Sequence, residues 1–477
     1  MYDFETFLTP PDQDVSNSDV NTHIVDEHSV SGFCYYRVTD IPQYQVPPTV
    51  CSGSDVMTRF YEHVMSESET INKIMPEQVP MTTMTIDDRR RHRAATTCTN
   101  CDCYFIHKNY KVHHHDHVTG KYLFPACKNC NLALKPKKCP SNTYFLPVLA
   151  HNSKNFDSHF IIKHFEKRYT EQCQKKGQKV GLDEVKVIHQ NGERFIQFQI
   201  GNLKFLDSFQ FLTPSLDNLV SLLLKGGKQN FRHTTKFLGD SELVFSKGVY
   251  PYNYMQNRTK FAETQLPPIE SFYNALNDEP LSTEDYEHAQ EIWNFFAIQN
   301  VQQYHDHYLM SDVLLLADVF EHFHQNVLEK HGLDCLFYPT LPALAWSMAL
   351  KHTQVELDLI TDKAIYLTFE NSIRGGISTI SNRYARANNP LVEGYDPTKP
   401  TTFITYLDAN NLYGAAQSKP LSVGNFRLLS PDEISRLDIE KISEDSPTGY
   451  VIECDLEYLI QLTCMRSTRT IPLLPNI

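Results

Sequence analysis

The sequence predicts a mixed α/β protein (α+β) of more than one domain, with a small cysteine-rich module inserted into the first. Three observations predict this class. Short strand-like segments alternate with amphipathic helical segments between residues 148 and 330, a basic segment with paired cysteines precedes them, and a β-branched segment near residue 405 ends at an aspartate. A length of 477 residues corresponds to two to four domains.

Composition and charge exclude several classes of protein. Hydrophobic residues make up 41% and charged residues 21%, which suits a sizeable core and excludes a disordered chain, a collagen-like repeat or a small disulfide scaffold. The net charge of −13 excludes a uniformly basic nucleic-acid coat protein. The sequence has no apolar run long enough to cross a membrane and no signal-peptide pattern. We therefore expect an intracellular, non-secreted protein without a membrane partner; nucleus, cytoplasm and organelle stay open.

The elements are expected in the following order. A strand at 3–8 opens the chain, and residues 9–85, rich in Ser, Thr, Asp and Pro, are expected to be loop in part. Gly201-Asn202 predicts a hairpin turn between two strands, and Gly332 predicts the end of a long helix. The predicted strands are 148–152, 195–200, 203–207 and 403–407, and the predicted helices are 158–169, 215–224, 283–298 and 305–330.

The segment from Arg89 to Lys138 differs from the rest of the chain. It holds eleven Lys and Arg residues against two acids, about +9, so the remainder sums to about −22. Two Cys-x-x-Cys pairs in it are separated by the 25 residues 102–126. Four thiolates at this spacing predict a closed tetrahedral zinc site, in which zinc replaces a core that so short a segment cannot build. The predicted ligands are Cys98, Cys101, Cys127 and Cys130.

Carboxylates from three distant segments form a pattern suited to metal-assisted hydrolysis. Asp3 and Glu5 point to one side of a strand, and Asp157 opens a helix. Tyr308 and Asp312 share a helix face at i, i+4. Each group alone also fits a solvated terminus or a helix start. Together they could hold two divalent ions and orient a water for phosphodiester hydrolysis.

Asn152 and Phe156 add groups that can hold a single-stranded end by hydrogen bonding and base stacking. In this order Tyr-Asp-Phe-Glu-Thr, Asn-x-x-x-Phe-Asp and Tyr-x-x-x-Asp resemble the three exonuclease motifs of family B DNA polymerases. The similarity is closest to the protein-primed branch of viruses, linear plasmids and large transposons. The resemblance implies a ribonuclease-H-like 3′–5′ exonuclease that uses Mg²⁺ or Mn²⁺. It implies metal ligation by Asp3, Glu5, Asp157 and Asp312, with Tyr308 orienting the water.

Ser215-Leu216 resembles the short Ser/Thr-Leu motif with which this branch binds single-stranded DNA and the priming protein. A plain helix start explains the pair equally well. The branch also uses a lysine near the third motif, and the sequence assigns it no position. The implied partners are a single-stranded 3′ end, a primer–template, deoxynucleoside triphosphates and a terminal priming protein.

The strand ending at Asp408 continues as Ala-Asn-Asn-Leu-Tyr-Gly and resembles polymerase motif A, with Asn411 and Gly414 in place of Ser and Pro. The resemblance implies a catalytic metal at Asp408, nucleotide binding by Asn411 and Leu412, and sugar selection by Tyr413. Upstream, Arg374-Gly375-Gly376 is similar to the linker motif that contacts the template strand.

The later polymerase motifs have no counterpart in the 69 residues after Asp408: neither Tyr-x-Asp-Thr-Asp nor Lys-x-x-x-Asn-Ser-x-Tyr-Gly occurs. Since two-metal transfer needs the second carboxylate, we expect a polymerase fragment that does not extend a primer. The expected domains are an exonuclease domain over 1–335, a zinc insertion at 86–140 within it, and an incomplete palm over 336–477.

Within the insertion, His-Asp-His-Val-Thr-Gly and Cys-x-x-Cys-Asn resemble the metal-nuclease core of recombination endonuclease VII. The resemblance implies His115 as general base and Asn131 as a metal-site or orienting residue, while His114 replaces the metal-binding aspartate. Three alternatives to a polymerase fragment therefore stay open. They are a stand-alone 3′–5′ exonuclease, an HNH-like structure-specific endonuclease, and a zinc-dependent DNA-binding relic of a transposon.

Overall fold

The computed structural model describes residues 1–9, 27–75, 79–134, 138, 143–175, 185–191, 194–275, 277–373, 380, 383–443 and 445–454. The chain divides into two compact units, Met1–His352 and Thr353–Ile477. Both α-helices and β-sheets form in the first unit, as the mixed α/β class predicts. No helix in the described part of the chain is long and apolar enough to cross a membrane.

The strands of the first unit form two sheets and one separate hairpin. An antiparallel sheet has the order β1-β2-β3, a four-stranded sheet has the order β6-β9-β8-β7 with β6 and β9 parallel, and β4 pairs with β5. The strands are β1 (Tyr2–Thr9), β2 (Glu27–Tyr35), β3 (Thr49–Ser52), β4 (Lys111–His115), β5 (Tyr122–Cys127), β6 (Leu146–Ala150), β7 (Val185–His189), β8 (Phe195–Ile200) and β9 (Leu203–Asp207).

Strand β1 links the two sheets, because it belongs to one of them and contacts the other. It pairs with β2 and also contacts β6 at the edge of the second sheet. Its alternate residues Tyr2 and Phe4 are buried in one aromatic core with Phe33 and Phe60. The register shifts between Glu5 and Thr6, and such a bulge re-aims the side chains beside it.

The helices of the first unit cover these sheets. They are α1 (Val56–Ile74), α2 (Ile86–Ala94), α3 (Lys128–Ala133), α4 (Asp157–Lys175), α5 (Leu216–Lys225), α6 (Arg232–Leu238), α7 (Thr283–Phe295), α8 (Val301–His331) and α9 (Leu341–Thr353), of which the last residue belongs to the second unit. Helix α8 contacts β1, β2 and β3, and the run Leu309–Phe320 is almost entirely buried. A helix that is apolar on most faces must be surrounded in this way.

The predicted elements after residue 148 of the first unit are confirmed with small shifts. The hairpin strands β8 and β9 have the predicted bounds, and Gly201 at their turn adopts φ +59°. Helix α8 begins four residues before the predicted start, because the Asn300 side chain accepts the Gln303 N–H at 3.0 Å. It ends as predicted at Gly332, which adopts φ +60°.

Residues 27–74 contain more structure than expected. Strands β2 and β3 and helix α1 lie where turn-forming residues had suggested loop in part. Phe60 and Val64 of α1 are buried against Phe33 of β2. Their burial against each other stabilises elements whose local sequence signal is weak, and tertiary packing overrides propensity in this way.

The second unit contains α10 (Lys363–Ser372), α11 (Leu412–Gln417) and α12 (Pro431–Arg436). The predicted strand at 403–407 is wrong for the structure: these residues are exposed and unpaired, and only the adjacent Thr402 bridges to Asn388. A β-rich segment needs a neighbouring strand to bond its backbone groups, and the described residues of this unit provide none.

Candidate active site

Three elements bring the predicted carboxylates together in the first unit. Asp3 and Glu5 lie on β1, Asp157 opens α4 after the β6 turn, and Asp312 lies in the middle of α8. Glu5, Asp157 and Asp312 are 6%, 4% and 4% exposed, and Asp3 is partly exposed. The charge of Asp3 acts on Glu5 and Asp157, and that of Asp312 acts on Asp3. The three distant motifs therefore converge on one buried acidic site.

The site disfavours full ionisation. Burial, with the nearby charge of Asp312, raises the pKa of Asp3 to about 7. Burial and the charge of Asp3 raise the pKa values of Glu5 and Asp157 well above their ordinary range. Burial also raises the pKa of Asp312, although Lys247 opposes the rise. Such a group of buried acids favours the arrival of positive charge.

Lys247 supplies one positive charge. Its Nζ donates hydrogen bonds to Asp312 Oδ2 at 2.5 Å and to the Tyr308 hydroxyl at 2.7 Å. Burial alone would lower the pKa of Lys247, but the carboxylate of Asp312 outweighs burial and raises it. The Tyr308 hydroxyl also lies 3.0 Å from that of Tyr252. Tyr308 and Asp312 thus share a face of α8, as their spacing predicts.

Divalent metal ions fit the residues present. Oδ1 of Asp157 and Oδ1 of Asp312 are buried and lack a hydrogen-bond partner among the described residues. Buried carboxylate oxygens without donors are the ligands that hard cations prefer. Among the residues that the structure describes, no three carboxylates of the site have oxygens within 4.8 Å of one another. The arrangement is therefore more open than a cage around one ion.

The residues predicted to hold a single-stranded end lie in the turn between β6 and Asp157, the first residue of α4. Asn152 is exposed, adopts φ +60°, and accepts a hydrogen bond from Asn155 at 2.6 Å. Phe156 is half-buried, with its ring 5.1 Å edge-on from that of His28. Asp207 fixes this turn by accepting the Lys154 N–H at 3.1 Å.

Ser215 and Leu216 have local structural contacts. The Ser215 hydroxyl accepts the Asn218 N–H at 3.3 Å and caps α5, while Leu216 is buried in the core that includes Leu314. These contacts match a plain helix start, and a DNA-binding role for the pair stays a prediction.

The residues of the motif-A resemblance lie in the second unit. Asp408, Asn411, Leu412 and Tyr413 are exposed, and Leu412 begins α11. Asn411 adopts φ +50° and its Oδ1 accepts the Gly414 N–H at 3.2 Å. Proline has no N–H, so this cap depends on the glycine that departs from the motif. Arg374, Gly375 and Gly376 lie outside the described residues.

The four predicted zinc ligands are brought together. Their sulfurs lie within 4.8 Å of one another, and those of Cys101 and Cys127 are 3.9 Å apart. Sulfurs at the corners of a zinc tetrahedron stand about 3.8 Å apart. Cys127 N–H donates to Cys98 Sγ at 3.2 Å. Burial raises the pKa of the Cys127 thiol, but the Cys130 N–H and other donors lower it to about 6. The cluster therefore fits a zinc ion.

The residues of the endonuclease resemblance lie beside this cluster. His114 and His115 are on β4 and Asn131 is on α3, and β5 lies between these elements in the chain. His114 is buried and its Nδ1 lies 2.8 Å from Oδ1 of Asn131. His115 is half-buried, with its ring 4.7 Å from that of His117. The structure thus brings His114 to Asn131 and leaves His115 partly accessible.

Sequence reasoning missed Lys247 and Asp207. Lys247 lies in a Gly-, Asn- and Pro-rich region without periodicity, 65 residues before its partner Asp312, so only the fold reveals the contact. Asp207 had a usable signal, since it ends a predicted strand, and the structure places it opposite Ala150 in the parallel pair β6–β9.

Comparison with known proteins identifies the family. Residues 144–457, which include most of the described fold and acidic site, match the family "DNA polymerase type B, organellar and viral". The match covers Asp157, Tyr308, Asp312 and Asp408 and begins after the cysteine cluster. The chain belongs to this family of DNA polymerases.

One curated relative is a "Probable DNA polymerase" of Neurospora intermedia. It is 29% identical over 223 residues, which cover 44% of this chain and 19% of the relative. The match therefore spans about a fifth of that protein's length. No solved structure matches the chain.

Proposed function

We propose that the first unit is a metal-dependent 3′–5′ exonuclease of the ribonuclease-H-like type, within a family B polymerase of the protein-primed kind. The observation that carries the proposal is the convergence of Asp3, Glu5, Asp157 and Asp312 in one acidic site. Two buried carboxylate oxygens of this site have no hydrogen-bond donor among the residues that the structure describes. Strand β1 pairs with β2 in one sheet and contacts β6 in the other, and this arrangement supports the ribonuclease-H-like assignment. Family membership supports DNA as the substrate.

The roles of the chain's own residues follow from the contacts. Asp3, Glu5, Asp157 and Asp312 would hold a pair of Mg²⁺ or Mn²⁺ ions, which when bound activate a water and neutralise the phosphate. Tyr308 orients the water through its hydroxyl. Lys247, which already contacts Tyr308 and Asp312, fixes both groups. Asn152 and Phe156 hold the 3′-terminal nucleotides by hydrogen bonding and stacking.

The second unit is proposed to be the beginning of a polymerase palm, with Asp408 as a metal ligand and Asn411, Leu412 and Tyr413 at the nucleotide. The family match across this region supports the assignment. Template contact by Arg374, Gly375 and Gly376, and contact of Ser215 and Leu216 with single-stranded DNA or a priming protein, belong to the same proposal.

The cysteine module is proposed to hold a structural zinc ion and to bind DNA through its positive charge. A specific contact favours a second candidate function for it. His114, next to His115 on β4, contacts Asn131 of α3, and the elements β4, β5 and α3 follow the ββα order of the endonuclease that the sequence resembles. Imidazole replaces a hard carboxylate here, so an endonuclease of this kind would prefer a softer ion than Mg²⁺.

The test is degradation of 3′-labelled single-stranded DNA by the full chain with Mg²⁺ or Mn²⁺. Asp157→Ala should abolish it, whereas Glu291→Ala, a change at an exposed acid of α7, should leave it intact. A chain that degrades no DNA, or equal activity in both variants, would refute the exonuclease. Cleavage of branched DNA that is lost in His115→Ala and kept in Asp157→Ala would support the endonuclease instead.

A further inference from the structure

A second group of metal-ligand side chains lies near the end of α8. His324 lies on the helix, and Asp334 and Cys335 lie just beyond its end. One ligand atom from each of the three side chains lies within 4.8 Å of the other two. His324 is twelve residues beyond Asp312, which corresponds to about 18 Å along a helix. This group is therefore separate from the carboxylate site, and the proposed nuclease uses none of its members.

The local fold assembles the group without long side-chain excursions. Gly332 adopts φ +60° and reverses the chain at the end of the helix. Asp334 then caps the short 3-10 turn Cys335–Phe337 by accepting the Leu336 N–H at 2.9 Å. Cys335 is fully buried in the core that includes Phe320 and Leu344. Backbone geometry thus presents a carboxylate and a thiol together beside the helix.

Both ring nitrogens of His324 face acidic partners. Its Nε2 lies 3.2 Å from Asp334 Oδ1, and its Nδ1 lies 3.5 Å from Glu321 Oε1. Ligand atoms around a tetrahedral zinc ion stand about 3.3–3.7 Å apart. A histidine that binds metal through one nitrogen usually donates its other N–H to a carboxylate, which is the relation of Glu321 to His324.

We propose that His324, Asp334 and Cys335 form a zinc-binding site, with Glu321 orienting the imidazole. The ligands are His324 Nε2, an oxygen of Asp334 and Cys335 Sγ, a nitrogen–oxygen–sulfur set that suits zinc. The side chains of His324 and Asp334 are 18% and 36% exposed, so a water can fill the fourth position. Binding releases the thiol proton of Cys335 to solvent. The ion would fasten the end of α8 to the turn leading into α9.

The competing occupant is a proton. A protonated His324 would pair with Glu321 and Asp334 in an ion-pair group without metal. Lys204 also bears on the site, since its Nζ donates to the Leu336 carbonyl at 2.8 Å and its charge acts on Asp334. If zinc occupies the site, the protein carries one more zinc ion per chain than it does if His324 is protonated instead.

The first test counts zinc by elemental mass spectrometry in the full chain, purified with zinc and freed of loose metal. The wild type should carry one more ion per chain than His324→Ala. His322→Ala removes an exposed histidine of the same helix and should match the wild type. Because each comparison is a difference, the result does not depend on whether the cysteine module or the nuclease site binds metal.

The second test guards against a folding defect in His324→Ala. Co²⁺ in place of zinc should give a thiolate charge-transfer band that weakens in Cys335→Ser, a change that preserves side-chain size. Glu321→Gln should weaken zinc affinity about 10–100-fold, as loss of an orienting partner does. Equal zinc in wild type and His324→Ala, or a cobalt spectrum unchanged by Cys335→Ser, would leave an ion pair only and overturn the proposal.

Discussion

Replacing Lys247 with glutamine should destabilise the metal-free first unit through the acidic site. Lys247 and Asp312 are 24% and 5% exposed, so their ion pair is largely buried. Breaking a buried pair from one side costs about 3–5 kcal/mol because it leaves a buried charge unpaired. Because Lys247 is partly exposed, we expect the free energy of unfolding to fall by about 3 kcal/mol at pH 8, the lower end of this range. Divalent metal should restore part of it, since cations replace the lost charge.

The measurement is urea unfolding of the chelator-treated protein at pH 8 and pH 5.5. The loss should be smaller at pH 5.5, because the pKa of Asp3 is raised to about 7 and the site is then largely protonated. Lys228→Gln is the matched control: its ion pair with Glu242 has exposures of 45% and 76% and should cost at most about 1 kcal/mol. Equal losses for the two variants at pH 8, or a larger loss at pH 5.5, would refute the reasoning.

Three further predictions follow from the same contacts. Asp157→Asn should reduce exonuclease turnover at least about 100-fold, because each bound metal contributes several kcal/mol, while unfolding of the metal-free protein should show equal or higher stability. The pKa of Asp3 is raised to about 7 from 3.8. Protonated Asp3 therefore adds up to about 4 kcal/mol to the free energy of unfolding below pH 4, and this stabilisation is lost as the pH rises through 7. Asp3→Asn should therefore flatten the pH dependence of melting without metal. Cys98→Ser should lose one zinc ion per chain by mass spectrometry, whereas Cys103→Ser, at an exposed cysteine outside the four-sulfur cluster, should lose none.

Much of the site could be predicted because its residues lie at positions that local rules define. Asp3 and Glu5 alternate on a strand, Asp157 begins a helix, and Tyr308 and Asp312 are four residues apart, so each segment fixes the direction of its side chains. The family resemblance then joined segments that no local rule connects. Spacing alone likewise predicted the cysteine cluster that the structure brings together.

The remaining features depend on contacts between distant residues. Lys247 reaches Asp312 across 65 residues from a region without regular structure. Helix α1 and strand β2 form because their aromatic residues pack with those of β1, and β3 forms by pairing with β2. Turn-forming residues obscured all three elements in the sequence. The segment 403–407 shows the opposite case, in which strong β propensity forms no strand among the described residues without a neighbour to pair with.

The zinc module and the group at the end of α8 differ in how visible they are in sequence. The spacing of paired Cys-x-x-Cys motifs predicts a metal site. His324 and Asp334 have no such motif, and their meeting requires the reversal at Gly332. A fold can therefore assemble ligand groups that spacing rules do not detect.

The most direct test of the central claim is crystallography of the full chain soaked in Mn²⁺, with anomalous diffraction recorded at the manganese edge. The account predicts two peaks about 3.5–4 Å apart, bound by Asp3, Glu5, Asp157 and Asp312. Asp157→Asn should remove at least one of them. Anomalous maps without manganese among these four carboxylates, while the soaked crystal binds it elsewhere, would contradict the account.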